Sequence, residues 1–452
     1  MEKLFEFKAG QEAGSGLTPS MNSRDQPLWA DGKNVIAFKG GMEKAPGNTI
    51  LATGPSGGIN NHVRGAEAML DSSAVQQLFF GDTNELYLYN ATGGVTSVKS
   101  GLTGVDDASG TVDATFNSFA RHGDWMLQTN GIDPAQVWKA TPFVNLANTT
   151  FTKAQIILVS GPHVLVFNTD NGKNIVEWCD EDSPELWTPG AANSAGNLFF
   201  RELFGEIKAA VLFGDQIVAS GLDQLVLLRY TGAPFYWGYK MGPRGIGTFG
   251  KAAMVQADKF IYGWGPAGIW RSDGVSFNYV DEPGFDKFVE DNLDVDQRSK
   301  VTAQYWDRTK QVVFWYPDST NEIVKGIAIN IESGALGFIN SVRTATVPHR
   351  NAWEHDISFD VSGQIRCYGD GVDDGTAGVD FQLLSKKFDL GAPLSWKDVQ
   401  ALTVATKRFS GTVQVRVATY EDADDAAVWT TKQSIDDGLE LLTFDGAEGR
   451  FF

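Results

Sequence analysis

The sequence predicts an all-β protein, a β-propeller of about 40 to 50-residue blades with a small β element appended. Three observations point there. The 452 residues carry 50 Gly beside 29 Phe, 13 Trp and 11 Tyr. Glycine without a collagen period supplies tight turns, while Phe, Trp and Tyr favour half-buried strands. A unit made of a β-rich run, a Gly/Asp/Asn turn and a second β-rich run recurs along the chain. Helical periodicity is nearly absent.

Taken in order, residues 1–34 read as an N-terminal arm or loop, because residues 8–34 are rich in Gly, Ser, Pro and Asn and poor in apolar side chains. Residues 35–395 carry the repeats. Copies of the unit occur at Val75 to Tyr89, Phe119 to Trp138, Ile156 to Trp178, Ala210 to Tyr230, Ala252 to Tyr279, Val301 to Phe338 and Ile357 to Leu384. Their starts fall about 37 to 56 residues apart, the spacing of four-stranded blades. The copies share a pattern rather than residues. Runs such as Lys259-Phe-Ile-Tyr-Gly-Trp264 and Gln311-Val-Val-Phe-Trp-Tyr316 are β-branched and aromatic, and Asp, Gly and Pro bound them. One short helix is expected over Glu282 to Leu293, where Phe285, Phe288, Val289 and Leu293 fall at helical spacing. Residues 396–452 alternate again, at Val399 to Thr406 and Thr412 to Tyr420. They read as a last blade, a ring closure or a small β-sandwich. A propeller needs its ends tied together, and Val35 to Phe38 or Phe5 to Phe7 could supply the strand that does so.

Net charge is −19, from 37 basic and 56 acidic side chains. An acidic surface repels phosphates, which excludes a nucleic-acid grip over the whole molecule. The two cysteines, Cys179 and Cys367, lie far apart and outside any Cys-x-x-Cys pattern, so neither a disulfide framework nor a structural zinc site is expected. Met1-Glu-Lys-Leu-Phe-Glu-Phe-Lys8 lacks the apolar core of a signal peptide. The most apolar stretch, Ile156 to Phe167, is broken by Gly161 and Pro162 and is too short for a membrane span.

The chemistry-bearing residues form no catalytic signature. The histidines are His62, His122, His163, His349 and His355. His349 and His355 flank Trp353, but a metal would need a third ligand, so the segment reads as a polar aromatic loop. Carboxylates cluster at Asp180-Glu-Asp182, at Asp291, Asp294 and Asp296, at Asp373-Asp374, and at Glu421, Asp422, Asp424 and Asp425. All read as solvated turns, because raising a carboxyl pKa for acid catalysis requires burial. Asp370-Gly-Val-Asp-Asp-Gly375 could wrap a calcium ion but fails the full loop pattern. Trp270-Arg-Ser-Asp-Gly-Val-Ser-Phe277 partly matches the Asp-box turn of sialidase-type propellers. Its spacing differs, and a hairpin turn wants Ser272-Asp273-Gly274 for backbone reasons alone. No catalytic, cofactor-binding or metal-binding residue is therefore assigned, and no cofactor is expected.

The order of local signatures carries a resemblance. Asp31-Gly-Lys-Asn-Val-Ile-Ala-Phe-Lys-Gly-Gly-Met-Glu-Lys-Ala-Pro-Gly47 resembles an opening segment common in bacteriophage tail and virion proteins. Gly242-Pro-Arg-Gly-Ile-Gly-Thr248, Asp258 to Gly274 and Tyr305-Trp-Asp-Arg-Thr-Lys-Gln-Val-Val-Phe-Trp-Tyr-Pro317 then resemble, in step, the propeller region of the tail nozzle or tail hub proteins of short-tailed phages. Phe388-Asp-Leu-Gly391 resembles their C-terminal end. The resemblance implies a non-enzymatic virion protein, made in the host cytoplasm. Six copies would form a ring below the portal and adaptor, conduct the genome without binding it specifically, and hold tail fibres or a plug. The acidic charge suits such a conduit, since each phosphate contact would have to be broken as DNA slides. Residues 351–452 hold 18 acids against 9 bases, and they either line the lumen or serve solubility. The alternatives from the residues are a propeller-type carbohydrate-active enzyme or lectin, and a phage fibre or baseplate component.

Overall fold

A computed structural model describes residues 29–38, 41–54, 62–90, 94–105, 114–139, 142–280, 292–318, 323–347, 353, 355–369, 373–374, 377–385, 397–398, 401–405, 413–420, 426–435, 439–443 and 448–449. Seven sheets follow one another along the chain, antiparallel apart from the parallel bridge of Asp374 to Asn48 in the seventh. The innermost strands of blades 1 to 7 are Ala66–Leu70, Ser118–His122, Ala154–Ser160, Ala209–Phe213, Met254–Ala257, Thr302–Trp306 and Ala345–Val347. Each touches the next, and the seventh touches the first, so the sheets form a closed ring. The chain is a seven-bladed β-propeller. Among the described residues the helical positions are Asn292, at the end of the expected helix, and the 3-10 turn Val295–Lys300, capped by Asp294.

The ring is held by seven apolar wedges, one between each pair of neighbouring blades. Successive side chains of a strand point to opposite faces, so Leu78 and Phe80 pack towards blade 7 while Phe79 packs towards Met126 and Trp138 of blade 2. Central strands are thus buried on both sides, and all seven residues of His163–Thr169 and of Gln311–Pro317 are buried. That is why these runs read as continuously apolar rather than alternating.

Part of the glycine serves packing rather than turning. Gly196, Gly263 and Gly326 lie within sheets, and a Cβ on them would sit 2.6, 2.2 and 2.8 Å from the rings of Trp178, Trp270 and Trp315. The indole N–H groups of Trp178 and Trp270 donate to the carbonyls of Ser194 and Gly247, both at 2.7 Å.

Ring closure differs from the expectation. Blade 7 supplies three strands of its own, ending at Ile365–Tyr368, and the N-terminal strand Asn48–Ala52 pairs antiparallel with that last one. Val35–Phe38 instead adds a fifth strand to blade 6 through Val35 and Phe338, with Gly41–Lys44 beyond it. Ile36 and Ala45 fill the wedge around Trp306, Trp315 and Tyr368, so the preceding blade rather than the ring gap is what this apolar strand covers. Trp29–Lys33, expected in a loop, pairs with Gln382–Ser385. Phe5 to Phe7 lies outside the described residues, as do all of the Glu282 to Leu293 helix except its last two residues.

Beyond the ring, the described parts of residues 397–449 form four two-stranded antiparallel pairs: Lys397 with Gly449, Ala401 with Thr443, Val413 with Ile435 and Ala418 with Trp429. Ile435 and Leu442 are buried together, with Val413, Val415 and Val417 packed against them.

Candidate functional site

The connection between blades 1 and 2 is bonded to four blades through its described residues, 100–105 and 114–117. Thr103 donates its amide and hydroxyl to Asp133 of blade 2, and the Gly104 amide donates to Thr83 of blade 1. Ala114 N donates to Ser299 Oγ before blade 6 at 3.2 Å, and Lys251 Nζ, before blade 5, donates to the Phe116 carbonyl. Two glycines make the approach possible. Gly65, at φ +118°, would place a Cβ 2.0 Å from the Asn117 carbonyl oxygen, and Gly250 would place one 2.6 Å from that of Ser299.

A cavity of about 230 Å³ is walled by Glu67, Asn117, Ser118, Lys251, Thr302 and Thr346 together with small and apolar residues. Asn117 and Ser118 are already engaged: Asn117 bonds the Asp82 carbonyl and Gln128, and Ser118 bonds the backbone of Ile157. Lys251 is different. Burial pushes its pKa down to about 7, because the charged amine has lost water. No spacing in the sequence marks Lys251 or Thr302; only ring closure brings them to one wall.

A second polar cluster sits between blades 3 and 4. His163 is fully buried, ringed by Tyr230, Tyr236 and Trp237 at 5.7 to 6.1 Å between centroids. Ser194 Oγ donates to Asp180 Oδ1 at 2.7 Å and accepts the Glu181 amide at 2.8 Å. His163 Nε2, 3.2 Å from the same oxygen, must then be the donor, leaving Nδ1 without a partner. This order places serine between histidine and aspartate, whereas a nucleophilic triad needs histidine in the middle. The cluster brackets a loop. Burial lowers the His163 pKa, with Glu181, Asp180 and Asp182 opposing that shift. Burial would raise the Asp180 carboxyl, but the Ser194 amide and hydroxyl more than offset it and hold it low. The neighbouring Cys179 thiol is pushed up to about 12 by burial, so it is not a nucleophile at neutral pH.

The remaining expectations fall as follows. Asp273 accepts the Val275 and Ser276 amides at 2.9 and 2.7 Å, and Gly274 has φ +89°, so the Asp-box-like stretch is a hairpin turn held for backbone reasons. Asp294 caps the 3-10 turn by accepting the Asp296 amide. His355 Nδ1 lies 3.2 Å from an Arg308 guanidinium nitrogen, and Trp353 packs near Tyr89. His349, Asp291, Glu421, Asp422, Asp424 and Asp425 lie outside the described residues, as does most of Asp370 to Gly375, where Asp373–Asp374 forms a short strand. Among the described residues no cluster of His, Cys, Asp and Glu is arranged to hold a metal ion, and no helix is long and apolar enough to cross a membrane. Cys179 is in blade 3 and Cys367 in blade 7, and no disulfide joins them.

No protein-family model and no curated protein matches this sequence. Among solved structures, the chain is similar to BamB from Moraxella catarrhalis at 11% identity and TM-score 0.41, over 76% of this chain and 99% of that one. It is similar to virginiamycin B lyase from Staphylococcus aureus at 9% identity and TM-score 0.43, over 68% and 96%. For PorZ from Porphyromonas gingivalis the values are 10% identity and TM-score 0.41, over 86% of this chain and 46% of that one.

Proposed function

We propose that the chain is a structural, non-enzymatic subunit of a ring, of the kind found in the tail nozzle of short-tailed phages, and that the ring forms the path for genome ejection between adaptor and distal tail. The observation that carries this reading is the region of residues 397–449, whose strands pair only two by two among the described residues. Two-stranded pairing is marginal in water on its own. Val413, Val415 and Val417 pack against the buried Ile435 and Leu442, while Arg416 lies over the Trp429 ring at 4.0 Å. Val428 is 68% exposed and Trp429 38%. A region that leaves such apolar side chains uncovered gains stability by packing on neighbouring copies, and head-to-tail contacts that close generate rings.

In this reading the genome channel is the space enclosed by the ring of subunits. The order of motifs shared with tail nozzle proteins and the excess of acids in residues 351–452 support the same role.

The test is the native mass of the purified chain, alone and mixed with an adaptor ring. A six-fold ring with a central channel is expected. A chain that stays monomeric at high concentration and beside the adaptor, or that hydrolyses a glycan, overturns the reading.

A further inference from the structure

We propose that His163 is the trigger of an acid-operated latch: when its imidazole takes up a proton, the tip of the outer hairpin of blade 4, residues 230–237, lifts off the site it covers. Nothing in this device depends on ring assembly.

Three observations carry it. His163 is fully buried, and with Nε2 donating to Ser194 its Nδ1 has no hydrogen-bond partner among the described residues. An imidazolium there would carry a donor with no acceptor and a charge without water, and burying such a group is costly. Second, the ring is covered by the hairpin of Gln224–Gly232 and Tyr236–Arg244, whose Tyr230, Tyr236 and Trp237 rings all lie against it. The tip of that hairpin is strained and half open. Tyr236 has φ +57°, a left-handed conformation that is costly for a bulky side chain, and Phe235 beside it is 78% exposed. Tyr230 ties the tip to the blade 3 loop through its hydroxyl, which donates to Glu181 Oε1 at 3.1 Å. Third, that loop is acidic. Asp180, Glu181 and Asp182 each favour the charged ring, so an imidazolium that gains water through the lifted tip is still attracted to its place. The other titratable or charged groups around the site are Tyr230 and Tyr236, Cys179, whose sulfur accepts the Val164 amide, His122 of blade 2, whose Nε2 lies 3.8 Å from Asp182 Oδ1, and Arg229, paired with Asp215 at 3.1 Å.

Opening then couples to protonation. Burial holds the covered ring below its ordinary 6.5, whereas the solvated ring regains that value. The open state therefore binds the proton more tightly, and the opening equilibrium rises as pH falls below 6.5, by up to about thirtyfold between pH 7.5 and 5.0 for one proton.

The experiment measures amide hydrogen exchange of the full chain by mass spectrometry between pH 7.5 and 5.0, corrected for the intrinsic pH dependence of exchange. Protection of residues 229–238 should fall several-fold or more across that range in the wild type, while that of residues 311–317 in blade 6 holds. His163→Gln keeps a donor for Ser194 but takes up no proton, so its hairpin should keep the same protection at both ends of the range. Circular dichroism confirms that the variant is folded. Unchanged protection of residues 229–238 in the wild type, an equal fall in a folded His163→Gln, or a fall shared with residues 311–317 would each overturn the proposal. Should His163→Gln fail to fold, ¹⁵N-imidazole titration of the wild type decides: a His163 ring that charges over the same pH range in which the hairpin loses protection supports the latch, and one that stays neutral throughout that loss overturns it.

Discussion

Gly263→Ala should destabilise the ring by about 2 to 4 kcal/mol. Its new methyl would fall 2.2 Å from Cζ2 of Trp270, in a wedge where that indole is fully buried. Either the strand or the indole must move. Overpacking of this kind costs about 1 to 3 kcal/mol. If the indole moves, its N–H also loses the Gly247 carbonyl at 2.7 Å, and a buried donor left without a partner costs about 1 to 3 kcal/mol more. Against this, alanine reduces the freedom of the unfolded chain by about 0.4 to 1 kcal/mol. The control is Gly238→Ala, also in a strand, where the nearest atom to the new methyl is Thr231 Cγ2 at 3.3 Å; its effect should stay within about 0.5 kcal/mol. Urea unfolding followed by tryptophan fluorescence, with linear extrapolation, gives both values. If Gly263→Ala lies within about 0.5 kcal/mol of the wild type, the account of strand glycines as space for tryptophan is wrong.

Two further outcomes follow from the polar contacts. The folded chain holds His163 below its ordinary 6.5 by burial, so the unfolded chain takes up the proton first. The stability this site contributes is present above about pH 6.5 and is lost as pH falls through 6.5 towards the folded pKa; urea midpoints at pH 7.5 and 5.5 should differ less in His163→Phe than in the wild type. Arg366 pairs with Asp360 at 2.8 Å and reaches Asn48 Oδ1 of the closing strand at 2.9 Å. Arg366→Ala should cost about 3 kcal/mol and speed proteolytic cleavage between residues 53 and 62, whereas unchanged cleavage would show that the strand does not depend on this clamp.

The strands were legible and their partners were not. Gln311 to Pro317 announces a strand by its composition, and Asp273-Gly274 announces a turn because both features are local. Whether Val35–Phe38 or Asn48–Ala52 closes the ring is decided by which open edge each meets after more than 300 intervening residues, and no local pattern encodes that. Glycine reads as turn-forming, and at Gly274 it is; Gly263 looks the same in sequence, and only the Trp270 ring laid across it tells them apart. The cavity was hidden for the same reason. Lys251, Thr302 and Phe116 share no spacing and line one wall only because the ring brings their blades together.

The closing strand also sets a timetable. Asn48 meets Arg366 from 318 residues away, so at about 5 to 20 residues per second the ribosome needs at least roughly 15 s between making the strand and making its place. Through that interval Asn48–Ala52 and the unfinished seventh blade are open edges, each able to accept the matching edge of another nascent copy. On a crowded polysome this favours exchange of the strand between chains, so the same lacing that seals a finished monomer is also its most exposed point for intermolecular misassembly.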